Sequence, residues 1–468
     1  MAGVTLRMGW QRGLDLNCKY GFILALCVLL AAAGCAGPPR VEPGEQIADA
    51  AGLARVIEYR TTGEGDDAGA AVGDTLTVEQ AVRRGLEHSP EVQQALARTR
   101  SALAEAKQVR LLPNPILSIV FRFPEGGGNP TIEACLAAEV LSLLRKPAEM
   151  RAADHRLRAA GAEALTEALG VVLRIQEQFV AVQGLEAELE LLERRRKELA
   201  GALGREQSRK SAGESSGLDV LGLKLEGVRV DAGLMDRRSE LREAQLGLSR
   251  LIGLPSGSLQ WRVSPWRPGE MAWGEESAWV AAALEHRPEI LALRWELASF
   301  GEEADLAGWN WLEGTEAGVD AERDGGKWSV GPSVSAPIPL LDWGRERRMT
   351  AEARRVEARH KLVQIRRQVI EEVRRAWGVV RDSQLAISLL QEQLIPLLEQ
   401  QQDRYQAMFL AGEVDQARVL LVQQQWQEAS IRKIELERQQ ASAQARLAWA
   451  AGGVRVALQV TATTRPGQ

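Results

Sequence analysis

The chain has little of what builds an ordinary globular enzyme. Its 468 residues include four Cys, four His, three Tyr and six Phe, and aromatic residues make up only 5% of the total. Cys18 and Cys27 lie in the first 34 residues, Cys35 follows them, and Cys135 stands alone, so neither a disulfide framework nor a Cys-based metal site can be assembled. No Gly-rich phosphate loop and no HExxH occurs, and His88, His155, His286 and His360 are scattered. The common phosphoryl-transfer and zinc-hydrolase signatures are thereby missing, and we expect no catalytic, cofactor-binding or metal-binding residues. The net charge of -5 gives no basic footprint, so nucleic acid is a poor partner. Beyond the N-terminal segment no apolar run reaches 18 residues, which excludes a transmembrane helix. If the mature chain enters a membrane, it must do so as β-strands, because only helices and closed barrels satisfy their backbone groups in lipid.

What the chain does have is a repeat. Leu86-Glu87-His88-Ser89-Pro90-Glu91-Val92 returns 198 residues later as Leu284-Glu285-His286-Arg287-Pro288-Glu289-Ile290. Ala212-Gly213-Glu214 recurs as Ala411-Gly412-Glu413, and Leu143-Leu144 as Leu340-Leu341, in the same order. A period of that size exceeds any solenoid unit of roughly 20 to 50 residues and marks a duplicated, domain-sized half. His88 and His286 hold equivalent positions, better explained as inherited helix-end polarity than as metal ligands.

Residues 1–34 read as an export signal: Arg7, Arg12 and Lys19 precede the apolar run from Phe22 to Ala33, too short to span a bilayer. Small residues before Cys35 resemble the lipobox of bacterial lipoproteins, which implies acylation of Cys35 and sorting to the outer membrane of a Gram-negative cell. The other reading is an ordinary signal followed by an accidental Cys. Residues 35–75, with Pro38-Pro39, Pro43 and a Gly/Asp-rich stretch, are expected to form the lipid anchor and a flexible tether. The first repeat then occupies 76–255, the second 275–453, and 454–468 is a C-terminal tail.

Each repeat contains one stretch of period-two alternation. In the first, at about 114–141, Leu117, Ile119 and Phe121 alternate with Ser118, Val120 and Arg122; after a Gly-rich turn, Ile132, Ala134, Leu136 and Ala138 alternate with Glu133, Cys135, Ala137 and Glu139. In the second, at about 315–338, Ala317, Val319 and Ala321 alternate with Glu316, Asp320 and Glu322, and Trp328, Val330 and Val334 with Ser329, Gly331, Ser333 and Ser335. Such hairpins, apolar on one face and polar on the other, carry the signature of an outer-membrane barrel wall. Arg122, Glu133, Glu139, Glu316, Asp320 and Glu322 are then expected to face its lumen. Two soluble hairpins packed on a core would show the same alternation. Four strands cannot close a barrel, whereas a homotrimer supplies about 12, within the known range.

The remainder is helical. From Lys146 to about Lys210, and from Gly344 to about Leu410, breakers are nearly absent, giving helices on the order of 100 Å long at 1.5 Å per residue. Apolar seams run through Leu165, Leu169, Val172, Ile175, Phe179 and Val182, and through Val369, Val373, Trp377, Val380, Ile387 and Leu394, at coiled-coil steps. Each long helix meets a Gly-containing turn and a return helix, at about 216–252 and 414–451.

This doubled plan, mainly α with a membrane β-barrel contribution, resembles the TolC-like outer-membrane efflux family. Pro337-Ile338-Pro339-Leu340-Leu341-Asp342-Trp343-Gly344-Arg345 is similar to that family's strand-to-helix junction, and Leu394-Ile395-Pro396 with Tyr405, Gly412 and Val419-Leu420 to its run into the hairpin tip. The resemblance implies a trimeric channel-tunnel in the outer membrane reaching into the periplasm, docked to a periplasmic adaptor (membrane fusion protein) and an inner-membrane pump. It also implies a passive conduit with no catalysis of its own, gated at the hairpin tips; some relatives carry acidic residues where this chain has Arg418 and Leu421, and Asp219 with Arg418 is either the candidate gate pair or two exposed helix charges facing solvent. The first junction departs from the pattern, reading Leu143-Leu144-Arg145-Lys146-Pro147. The competing function is a lipid-anchored periplasmic coiled-coil scaffold or adaptor.

Overall fold

A computed structural model describes residues 37–463 except 62–73, 124, 126, 128–129, 214–215, 255–258, 260, 266–273, 310–312, 325, 339 and 341–342. Cys35 and the expected signal segment lie outside the described residues. The first half runs α1 (Pro43–Ala51), β1 (Thr75–Leu76), α2 (Val78–His88), α3 (Pro90–Val109), β2 (Ile116–Arg122), β3 (Thr131–Glu139), α4 (Leu141–Ser211) and α5 (Gly217–Leu251). The second runs β4 (Arg262–Val263), α6 (Glu276–His286), α7 (Pro288–Ala307), β5 (Glu316–Asp324), β6 (Lys327–Ser335), α8 (Arg345–Leu389), a π-helical segment (Leu390–Leu394), α9 (Ile395–Leu410), α10 (Gln416–Ala450) and α11 (Val454–Thr463).

The duplication is literal in three dimensions. Helices α2 and α6 are both 11 residues long, α3 and α7 both 20, and the returns α5 and α10 both 35. Pro90 and Pro288 each open a helix, where the missing N–H has no partner to lose. The repeated phrase also acquires a packing reason. A Cβ on Gly253 would come within 2.6 Å of the His88 Cβ, and one on Gly452 within 2.9 Å of the His286 carbonyl oxygen. Both glycines also have positive φ, 74° and 104°, which disfavours any side chain there. In each half the His-bearing helix end is thus seated on the glycine that follows the return helix.

The chain divides into two compact units. One comprises the described residues up to Val41 with Arg100–Arg158 and Trp295–Arg359, and it contains the four-stranded sheet. Its helical part packs Val41, Leu103 and Val109 around Ala106, Ala153 and Leu157, and is laced by Arg110–Asp154 at 2.7 Å, Arg151–Glu302 at 2.9 Å and Arg156–Glu303 at 2.5 Å. The Trp295 ring stacks on His155 with 5.4 Å between centroids, and Arg158 lies 4.7 Å from the same ring.

The other unit is the main helical body. Its first-half core joins Leu86, Ile175, Phe179, Val182 and Leu248, and its second-half core joins Trp279, Ile290, Val369, Val373 and Leu447. The seam expected along α4 is therefore the buried face. The parallel pair Thr75↔Arg262 and Leu76↔Val263 ties the starts of the two halves together; at two residues each, these strands are too short to show a period.

Three expectations need correction. Within the supposed tether, Pro43–Ala51 is a helix and Ile47 and Ile57 are buried in the first-half core; Pro43 starts the helix, and the apolar spacing then gives it a face to bury. The supposed C-terminal tail is in part α11, whose Ala457 and Val460 enter the second-half core, with Arg455 paired to Asp49. The second long helix is not one α-helix but is interrupted at Leu390–Leu394. Pro396 offers no N–H and its ring crowds the carbonyl four residues back, and the π turn widens the backbone to accommodate it. The extra residue rotates the register, so Leu394 is 41% exposed and Leu398 is buried in its place.

Candidate functional site

The sheet has the order β2-β3-β5-β6, every pair antiparallel. The strands come from both halves, because Ile132↔Arg323 through Glu139↔Glu316 zip the two hairpins together. Register then fixes the faces, since residues paired across an antiparallel ladder point the same way. One face carries Arg122 on β2, Glu133, Cys135 and Glu139 on β3, Glu316, Asp320 and Glu322 on β5, and Ser329, Gly331 and Ser333 on β6. All six charged residues singled out in the sequence are therefore on one face. Arg122 and Glu133 pair at 2.5 Å, whereas Glu133 stands opposite Glu322 and Glu139 opposite Glu316. Like charges directly opposed destabilise a sheet, so this face is not arranged for stability.

The other face is apolar and bare. Leu117, Ile119, Leu136, Val319, Val330 and Val334 are each more than half exposed. Its one charge, Arg323, sits at the turn end beside Trp328, 5.9 Å from the ring. Aromatic and apolar side chains mark both ends: Phe121, Phe123 and Trp328 toward the turns, Trp309 and Trp343 toward the helices. Nine-residue strands such as β5 and β6, tilted by about 40°, cover a height of roughly 23 Å, close to the apolar band of an outer-membrane barrel. The outer edges of β2 and β6 carry no further strand among the described residues. An open edge in lipid would leave backbone groups unsatisfied, so a sheet of this kind placed in a membrane would need further strands to close it. Among the described residues no helix is long and apolar enough to cross a membrane.

At the other candidate location, Asp219 and Arg418 occupy the same position, third in their return helices. Asp219 completes a capping box: its carboxylate accepts from the Ser216 hydroxyl at 2.6 Å and backbone N–H at 3.3 Å, while the Asp219 N–H donates to Ser216 Oγ at 3.2 Å. The Arg418 N–H donates to Asp415 Oδ1 at 3.2 Å, and its side chain is exposed. An acid suits a helix N-terminus and a cation does not, so Asp219 has a local structural reason to be there and Arg418 has none. No ion pair joins the two among the described residues.

Sequence reasoning missed a polar seam between α4 and α10. Arg195, 6% exposed, donates from Nη1 to Gln423 Oε1 at 2.7 Å, and Arg446 pairs with Glu177. Glu188, 2% exposed, lies 3.1 Å from Arg237 on α5, and burial pushes its pKa up against the pull of Arg237 and Arg438. Each of these residues reads as an ordinary exposed helix charge in isolation. No sequence signal marks them: at about 3.6 residues per turn Glu177, Glu188 and Arg195 fall on the side of α4 away from the Leu165–Val182 seam.

Comparison with known proteins matches residues 279–453 to the outer membrane efflux protein family. Solved structures match over most of the chain. The outer membrane protein VceC from Vibrio cholerae is 19% identical, with a TM-score of 0.66, 80% of this chain covered and 96% of that one. A membrane protein from Pseudomonas aeruginosa is 18% identical with a TM-score of 0.68, covering 86% and 99%. The open state of the Neisseria gonorrhoeae MtrE outer membrane channel is 15% identical with a TM-score of 0.61, covering 90% and 98%. Curated protein sequences give no match.

Proposed function

We propose that three copies of this chain close one barrel of about 12 strands, a reading supported by the match of residues 279–453 to the outer membrane efflux protein family and by a fold shared with solved outer-membrane channels. The protein is an outer-membrane channel-tunnel component of an efflux system, a conduit toward the exterior. The observation that carries the trimer is the sheet with a bare apolar face, a charged opposite face and two free edges. Apolar steps at Leu218, Leu221, Leu225 and Val228 on α5, all exposed, have coiled-coil spacing and give a second surface for a neighbouring copy. A periplasmic adaptor and an inner-membrane pump complete the system and supply its energy, so the channel needs no catalytic residue.

In planar bilayers the purified trimer is expected to conduct ions, which a periplasmic scaffold would not do; absence of conductance from a folded trimer sinks the reading. The same assay tests the gate. We place Asp219 and Arg418 at the lumen-facing tip, holding the closed state between neighbouring copies. Arg418→Ala should then raise closed-state conductance several-fold, and a value equal to wild type would remove the pair from the mechanism.

Cys35 acylation fits the packing of Val41. Val41 sits on α3 and α4 in the unit that contains the sheet, and the six Cα-to-Cα steps from Cys35 to Val41 reach at most about 20 Å. A short leash from that point suits an acyl chain in the adjacent leaflet. Metabolic labelling with palmitate should mark the wild type and not Cys35→Ser; equal labelling of both would place the lipid elsewhere or nowhere.

A further inference from the structure

The junctions between strands and helices are where the two halves stop matching. Arg145-Lys146 lies in the second turn of α4 in the first half, whereas α8 in the second half starts at Arg345, after Trp343 and Gly344. Register places all these positions at one end of the sheet. Glu139 of β3 pairs with Glu316 of β5, Glu316 with Ser335 of β6, and the Val140 N–H donates to the Thr315 carbonyl at 3.1 Å. Just beyond that line Leu144, Trp309, Ile338, Leu340 and Trp343 are exposed by 53% to 79%, far more than apolar side chains with a protein partner. The belt continues the bare apolar face of the sheet.

Cations adjoin it. Arg347 lies 3.6 Å from Glu313, and Arg145 Nε 3.5 Å from Glu149. Among the described residues Lys146 and Arg345 have no ion pair, and neither has Glu346 beside Arg345. The first half thus contributes the cation where the second contributes the aromatic ring. Trp favours the boundary between headgroups and acyl chains, and a Lys or Arg just outside that boundary meets phosphate.

We propose that this collar binds the phosphate headgroups of anionic phospholipids in the leaflet on the helical side of the barrel. The inference rests on the membrane reading above, and names the lipid that reading leaves open. Lys146 and Arg345 contact the headgroup phosphate, and Trp343 and Trp309 lie at the base of the acyl chains. An attraction of about 1 kcal/mol per cation near the surface is on the order of a five-fold preference each.

The test is lipid retention by the purified trimer after reconstitution into phosphatidylethanolamine containing a minor share of phosphatidylglycerol, read by native mass spectrometry. Wild type should retain phosphatidylglycerol several-fold above its share of the mixture, and Lys146→Gln/Arg345→Gln should retain it only in proportion. No enrichment on wild type, or the same enrichment on the variant, overturns the proposal. Should the variant not assemble, molar salt applied to the wild-type complex decides: loss of the enrichment supports the collar, persistence overturns it. A folded protein that does not enter the bilayer at all overturns the membrane reading itself, and the collar with it.

Discussion

Val330→Arg is expected to abolish assembly of the channel in the outer membrane. Val330 lies near the middle of β6, 69% exposed, on the apolar face. A charge at the lipid-facing midplane of a barrel costs about 2–4 kcal/mol, and a trimer meets that cost three times at once. The measurement is the yield of heat- and detergent-resistant trimer extracted from outer membranes, which should fall by at least an order of magnitude. Ser329→Arg, one residue away, is the control. Its side chain shares the polar face with Glu322, so trimers should form at near-normal yield while the conductance changes. If both variants assembled equally well, the two faces would not be lipid and lumen, and the barrel reading would fail.

Phe179→Ala should produce the largest loss of stability in the helical body. Phe179 is wholly buried in the first-half core, among Leu86, Ile175 and Leu248, and truncating such a ring costs about 3–5 kcal/mol through lost burial and the cavity left behind. Denaturant unfolding followed by loss of helical signal should show the midpoint shift. Leu394→Ala provides the contrast: Leu394 is 41% exposed in the π segment, and its loss should stay within about 0.5 kcal/mol. Equal effects at the two positions would mean that the interruption before Pro396 does not turn the register, and that the second long helix carries its seam unbroken.

Those two leucine and phenylalanine positions show where sequence periodicity works and where it stops. Both lie on seams drawn from steps of three, four and seven, and for Phe179 the steps are enough because α4 is continuous from Leu141 to Ser211. For Leu394 they are not, because one proline two residues away changes the number of residues per turn. Pro396 was visible in the sequence; that the chain would insert a π turn and continue, instead of ending the helix, depends on the neighbouring helices that hold both sides in place. Among the candidate site residues the contrast is similar. The six charges assigned to one sheet face follow from strict alternation, and register confirms that they share it. Arg195, Glu188 and Gln423 carry no such mark, since a charged or amide side chain on a long helix is ordinarily solvated.

By itself, the sequence determined the duplication, the helix and strand periods, the turn positions and the sidedness of each hairpin. These are local properties: backbone geometry sets periods of 3.6 and 2, and neighbouring residues reveal them. Only the tertiary structure decided that Thr131–Glu139 joins Glu316–Asp324, so that both halves share one sheet, and that Thr75-Leu76 meets Arg262-Val263. It alone recruited Pro43–Ala51 and Val454–Thr463 into the packed cores and set Arg195 against Gln423. Such contacts join residues that are distant along the chain, and no period within either segment encodes its partner; packing selects it.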